Sequence, residues 1–255
     1  MFKGLRAWWH RFREARRYHG TGRVCPVCEQ PSKRFREFGD PPRDEAQCVH
    51  CGALEHHRLL WLYLERKTEL FSVSPERMLH VAPEICLEPK LKSRLGDAYL
   101  TADLMNPQAM VRMDVSDIPY DEESFDVVYC SHVLEHVQDD RRAMRELNRV
   151  LKKDGWAILL VQITAEETYE DPSIVEPEAR REAFGQEDHC RRYGPDYVNR
   201  LREAGFNVET LTVADLVDEA EAQTLGLTSA AGEIYFCTKA EIDETAAREF
   251  RLVFP

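Results

Sequence analysis

From residue 78 onward short apolar runs alternate with amphipathic ones, and nothing else in the sequence narrows the fold as far. The runs at 78–82, 98–102, 111–113, 125–130 and 156–163 read as buried strands. Helical patterns fall between most of them, 139–151 being the clearest. A further helix at 196–204 is closed by Gly205 as a C-cap, and 206–211 and 233–238 read as two late strands. Repeated strand–helix alternation predicts an α/β fold, a mostly parallel sheet with helices on both faces.

Ahead of this region stand Cys25-Pro-Val-Cys28 and, after 19 residues, Cys48-Val-His-Cys51. Each CxxC turn aims two thiolates at one point, so the pair of turns predicts a tetrahedral, structural Zn2+ site with no position left for a catalytic water. Redox or disulfide use of the same thiols is the alternative. His50 is a spare ligand expected to face solvent. Cys86, Cys130, Cys190 and Cys237 show no framework spacing and read as reduced thiols. The expected organisation is a basic amphipathic helix at 1–22, a zinc ribbon at 23–53, a linking helix at 54–73, the α/β domain at 74–240 and a tail at 241–255.

Residues 1–70 hold 14 Lys+Arg against 9 Asp+Glu, whereas the remainder carries a net charge of −17. A surface that tracks phosphates is basic, so nucleic acid or an anionic membrane would have to meet the N-terminal part. Residues 1–20 place Phe2, Leu5, Trp9 and Phe12 on one helical face among arginines. Docking on the chain's own domain or a second subunit competes there with peripheral membrane contact. No apolar run is long enough to cross a bilayer, and the arginine-studded start lacks the core of a secretory signal, so a cytoplasmic address is expected.

The stretch from Asp114 through Ile118-Pro119-Tyr120, Ser124-Phe125-Asp126 and His132-Val-Leu-Glu135-His136 resembles the central block of type-11 class I S-adenosylmethionine (SAM) methyltransferases. Arg149-Val-Leu-Lys-Lys-Asp-Gly155 resembles their turn before the fifth strand, and Leu201-Arg-Glu-Ala-Gly-Phe206 their link into the sixth. The resemblance covers 76–240 in order and implies a Rossmann-like fold with seven strands and SAM as cofactor. Ligands in such folds sit outside the carboxyl ends of the strands. Asp103, ending the second strand beside Leu104, is where a carboxylate takes the ribose hydroxyls; Asp114 matches the residue that accepts from the adenine amino group, flanked by Met113 and Val115. Ser131 and His132 end the fourth strand, beneath the reactive methyl. For both aspartates a helix N-cap is the competing role. The first loop departs from the family's glycine motif, reading Leu79-His80-Val81-Ala82-Pro83-Glu84. There Ala82 would permit close approach, Pro83 would open the next helix, and Glu84 would meet the methionine end of SAM. This loop and Phe184-Gly-Gln186-Glu-Asp188-His189 resemble a subgroup of bacterial methyltransferases.

His132-x-x-Glu135-His136 also spells an inverted zinc-protease motif, but that needs both histidines on one helical face, and the first follows directly on a strand. His136 is expected in the helix that follows. Residues 164–194 form an insertion that would shape the acceptor pocket, with 164–178 mobile or solvated. It gathers Gln186, Asp188, His189, Arg191, Arg192 and Tyr193, with His189 the first candidate base and His132 the second. A lid held by its own hydrogen bonds is the other reading. The expected activity is methyl transfer to a small-molecule or glycan-type acceptor. Two alternatives remain: an RNA methyltransferase gripping through the basic zinc module, a layout similar to some rRNA guanine methyltransferases, and a non-catalytic binding protein whose altered loop no longer takes SAM.

Overall fold

The computed structural model describes residues 17–73 and 75–240, so the expected basic helix, up to residue 16, and the tail at 241–255 lie outside the described residues. The first strands among the described residues form two small antiparallel hairpins, β1 (Arg23–Val24) with β2 (Pro31–Ser32) and β3 (Arg36–Phe38) with β4 (Arg43–Gln47). There follow α1 (Glu55–Lys67), β5 (Met78–Val81), α2 (Glu88–Leu95), β6 (Tyr99–Asp103), β7 (Val111–Arg112), β8 (Phe125–Ser131), α3 (Asp140–Val150) and β9 (Leu151–Leu160). The last part holds β10 (Tyr169–Glu170), α4 (Pro177–Phe184), β11 (Arg191–Arg192), α5 (Tyr197–Glu203), β12 (Phe206–Leu211), α6 (Glu219–Leu225) and β13 (Ile234–Lys239). Seven strands form one sheet in the order β12-β13-β9-β8-β5-β6-β7. Within it β5–β6, β6–β7 and β8–β9 pair in parallel, while β13 runs antiparallel to β9. This is the mostly parallel sheet the alternation called for, with the seven strands and Rossmann-like order the resemblance implied.

The chain divides into two compact units. The first holds the described residues up to Arg112 together with Thr210–Tyr235. Its hydrophobic interior takes Leu59, Leu60, Trp61, Leu62, Tyr63 and Leu64 from α1, each at most 3% exposed. The helix stops at Lys67, earlier than expected, because Thr68 leaves helical geometry and turns its hydroxyl back to the Leu64 carbonyl. Arg58, fully buried, ties the hairpins to the rest of the unit. It donates to the carbonyls of Ala46, Ala53 and Gly226 at 2.9, 2.8 and 2.6 Å and stacks over Phe35. Gly226 has φ 62°, and a Cβ there would stand 2.6 Å from the Phe35 ring, so only glycine suits the position.

The second unit holds Met113–Glu209 and continues from Phe236. The Asp139 side chain caps α3 through the Arg142 N–H, and Ala143, Met144, Leu147 and Val150 form the buried stripe of that helix. β9 begins at Leu151, five residues before the expected strand start. The register jumps from Phe125↔Leu151 to Val127↔Trp156, so the expected turn at 149–155 is a bulge inside a strand. At its inner side a Cβ on Gly155 would come within 2.6 Å of the Asp126 carbonyl oxygen.

Candidate functional site

The four cysteines of the hairpin pair converge. Cys25 and Cys51 Sγ lie 3.7 Å apart and Cys28 and Cys48 Sγ 3.8 Å apart, with all four ligand atoms within 4.8 Å of one another. A tetrahedron with Zn–S bonds of about 2.3 Å has edges of about 3.8 Å, so the cluster fits that ion. Hydrogen bonding from Cys25 favours the thiolate at Cys28, pulled down to about 7, and at Cys48. The His50 N–H points at Cys48 Sγ at 3.4 Å, while the exposed His50 ring meets the Pro31 carbonyl at 3.2 Å and stays out of the cluster. Cys86, Cys130, Cys190 and Cys237 form no disulfide among the described residues.

At the carboxyl end of β5 the chain turns through Ala82 with φ 53°, a left-handed conformation that glycine adopts without cost. Alanine thus occupies the backbone state for which the family uses glycine. Two expectations for this loop are corrected. Pro83 is buried and does not open a helix: 85–87 form a turn, and α2 starts at Glu88 with its own proline in the first turn. His80 is fully buried, with Nδ1 2.6 Å from the Tyr99 hydroxyl and Nε2 2.7 Å from Glu84, so its ring anchors the loop and offers nothing to a cofactor. The tautomer that satisfies every group has Tyr99 donating to Nδ1 and Nε2–H donating to Glu84. Glu84 also lies 3.9 Å from His57 Nε2, and burial raises the Tyr99 phenol above its usual range.

Asp103 closes β6. Its Oδ1 accepts from the Met105 and Asn106 N–H groups at 2.6 and 2.7 Å. One oxygen therefore fixes a turn, with no helix following for it to cap, and the second bonds no described residue. Leu104 and Met105 beside it are 46% and 82% exposed, and Ile85 in the first loop is 89% exposed. Sequence reasoning missed Met105 and Ile85, although large apolar side chains beside a strand end carry that signal.

In the second unit Asp114 faces outward, and its Oδ1 accepts from Ser116 N and Oγ at 2.8 and 2.5 Å. Those bonds hold the carboxyl below its ordinary range, and its other oxygen bonds no described residue. Met113 and Val115 alternate inward at 3% and 4% exposure, so they pack beneath the turn and do not flank an open ring site. Ser131, the last residue of β8, is 5% exposed and leaves a buried Oγ without a partner among the described residues. His132 follows with φ 52°, a second left-handed non-glycine residue at a strand end.

The segment 132–139 consists of turns, so His136 is not helical and the protease geometry is absent. His132 Nδ1 meets Glu135 Oε1 at 3.4 Å, and the same oxygen accepts from Gln162 N–H at 2.9 Å. Burial opposes the charge on Glu135, but the bond and charge of His132 together with backbone N–H groups outweigh it and keep the acid below its usual range. His136 Nδ1 lies 3.2 Å from Asp188, and its ring meets that of His189 edge to face at 4.6 Å. Burial and then the His136 charge lower His189 below the ordinary imidazole range. Gln186 and Asp188 are exposed, and Arg192 is held by the hydroxyl and carbonyl of Thr164.

Arg191 and Tyr193, expected to contact an acceptor, are core elements. Arg191 is 2% exposed and donates to the carbonyls of Leu134, Val137 and Gln138 at 2.7, 2.5 and 2.9 Å. Tyr193 is fully buried with its hydroxyl on Asp140 at 2.6 Å. Both side chains exhaust their polar groups on the protein, the reading in which the insertion is held by its own hydrogen bonds. The stretch expected to be mobile or solvated is largely exposed and yet anchored: Tyr169–Glu170 pairs with β11, and Glu170 takes hydrogen bonds from Arg191 and Arg200.

The seven-stranded, mostly parallel sheet has a Rossmann-like strand order. Residues 84–159 match a family model described as methyltransferase domain. The uncharacterized methyltransferase YcgJ of Bacillus subtilis is 37% identical over 57 residues, a match that spans 22% of this chain and 22% of that protein. Its solved structure superposes with a TM-score of 0.45 at 17% identity, covering 71% of this chain and 98% of that one. The 1,6-didemethyltoxoflavin-N1-methyltransferase of Burkholderia thailandensis gives 0.45 at 15% identity, covering 66% and 72%. Among the described residues no helix is long and apolar enough to cross a membrane.

Proposed function

We propose that this protein is a SAM-dependent methyltransferase acting on a hydroxylated small-molecule or glycan-type acceptor. The observation that carries the reading is the strain at two strand ends: Ala82 after β5 and His132 after β8 both hold left-handed backbone that costs a non-glycine residue about 1–2 kcal/mol. Such strain is retained where it shapes a site, and here it stands inside and beside the stretch that matches the methyltransferase domain model.

SAM, when bound, supplies a sulfonium methyl that is transferred in line to a nucleophile, so positioning carries much of the catalysis. The second oxygen of Asp103 takes the ribose hydroxyls, with Leu104 and Met105 as apolar cover. Asp114, kept ionised by Ser116, accepts from the adenine amino group. The orphaned Ser131 hydroxyl finds its partner on the ligand, and Ala82 replaces the usual glycine. Glu84 works through His80 to set the first loop. His189, with His132 second, accepts a proton where the acceptor must lose one, and Glu135 orients His132. Gln186, Asp188, His136 and Arg192 line the acceptor side. The four cysteines hold a structural Zn2+ that organises the hairpins.

Calorimetry with S-adenosylhomocysteine on D103N and D114N tests this assignment. Loss of a charge-assisted hydrogen bond predicts affinity weakened about tenfold or more in each. Affinities equal to the parent protein would remove both aspartates from the site.

A further inference from the structure

A second ligand set, separate from the four cysteines, lies in the second unit. His136, Asp188 and His189 each offer one ligand atom, and these atoms lie within 4.8 Å of one another. The His136–Asp188 edge is already 3.2 Å, close to the separation of adjacent ligands around a first-row ion bonded at about 2.1 Å.

Three features around the set fit a cation. The His189 ring is 9% exposed and packs edge to face on that of His136 at 4.6 Å, which limits its rotation and keeps the two rings adjacent. Glu135, 3% exposed, brings a carboxylate whose Oε2 has no hydrogen-bond partner among the described residues and whose charge acts on His189. The two segments that carry the set are clamped together. Arg191 grips the carbonyls of Leu134, Val137 and Gln138, and the Cys190 N–H donates to the Glu135 carbonyl at 2.8 Å. A site mounted on such a clamp keeps its ligand geometry without the ion.

We infer that His136, Asp188 and His189 form a divalent transition-metal site with open coordination positions. Two imidazoles and one carboxylate select a borderline first-row ion over Mg2+ or Ca2+. The side chains of His136 and Asp188 are 37% and 64% exposed, so the open positions face solvent and admit an oxygen of the acceptor. This extends the methyltransferase reading: with the ion present His189 is a ligand, and proton acceptance passes to His132.

The test is a Co2+ titration of the full-length protein with its cysteine cluster filled by zinc, read by ligand-field absorption free of thiolate charge transfer. One equivalent of Co2+ should bind to the parent protein, and D188A and H189A should each weaken it about tenfold or more. Asp188 is a solvent-facing turn residue, so D188A keeps the fold; an unchanged melting temperature checks this. No Co2+ binding by the parent at about 1 mM, or binding that D188A and H189A leave unchanged, overturns the inference. The titration needs neither SAM nor acceptor, so its failure leaves the methyltransferase reading standing.

Discussion

Replacing Arg58 by methionine should cost more stability than any other single change in the first unit. The side chain is fully buried and makes three hydrogen bonds of 2.6–2.9 Å to carbonyls from three separate segments. Methionine keeps most of the stem's packing but takes this donor from the Ala46 and Gly226 carbonyls, at about 1–3 kcal/mol each, while Ala53 still accepts from the Cys48 N–H at 2.9 Å. The guanidinium stack 4.3 Å over Phe35 adds about 1 kcal/mol or more. Burial lowers the Arg58 pKa from its ordinary value, so part of the loss is offset by relief of desolvation. The expected destabilisation is about 3–6 kcal/mol, a large share of the roughly 5–15 kcal/mol that holds a typical domain together. Urea unfolding followed by circular dichroism, with released zinc read by a chelating dye, measures it. R58M should unfold at much lower urea, and zinc should leave in the same transition, because Arg58 links Ala46 and Ala53 beside the cysteines to Gly226. R58K keeps the charge but loses the fork, and should recover less than half of the loss. A destabilisation below about 1 kcal/mol in R58M, with zinc release unchanged, would refute the claim that this residue couples the hairpins to the unit.

Three further outcomes follow from the same geometry. A82G removes left-handed strain but adds unfolded-chain entropy; the opposing contributions of about 1–2 and about 0.5–1 kcal/mol predict a small gain in melting temperature, and a clear loss would show that Ala82 is not strained. Glu170 is pulled down to about 2: burial works against its charge, but the Arg200 and Arg191 hydrogen bonds outweigh it. Its stabilising contribution is therefore complete above the ordinary carboxylate range and lost as pH falls from about 4.5 toward 2. E170Q should flatten the acid limb of stability in that window, by an amount reduced by solvent screening at this half-exposed group, and an unchanged limb would contradict the assignment. C28S should abolish stoichiometric zinc binding at the hairpins and lower their resistance to proteolysis; one retained equivalent there would show that three thiolates suffice.

Much of this architecture was legible because its signals are local. Strand–helix alternation needs only a window of residues, and two CxxC turns specify their own metal geometry. Asp103 and Asp114 are singled out by their places at or near strand ends together with the family resemblance. What escaped depends on partners far along the chain. Arg191 and Tyr193 read as acceptor contacts because nothing nearby shows that Leu134, Val137 and Asp140, more than fifty residues earlier, would absorb their polar groups. His132 and His136 carry helical spacing, yet the left-handed residue at His132 breaks the helix before it starts. Alanine does not advertise a positive φ as glycine does, so the turn at Ala82 was invisible, and Pro83 drew the helix start too early. The pairing of His136 with Asp188 and His189 joins segments that only the fold brings together.

The central claim is tested most directly by titrating SAM and S-adenosylhomocysteine into the full-length protein in a calorimeter. The account predicts one site per chain, with dissociation constants on the order of 10 µM for both ligands. Absence of binding by either ligand at about 1 mM would contradict it, and would make the chain a binding protein that keeps the fold without the cofactor.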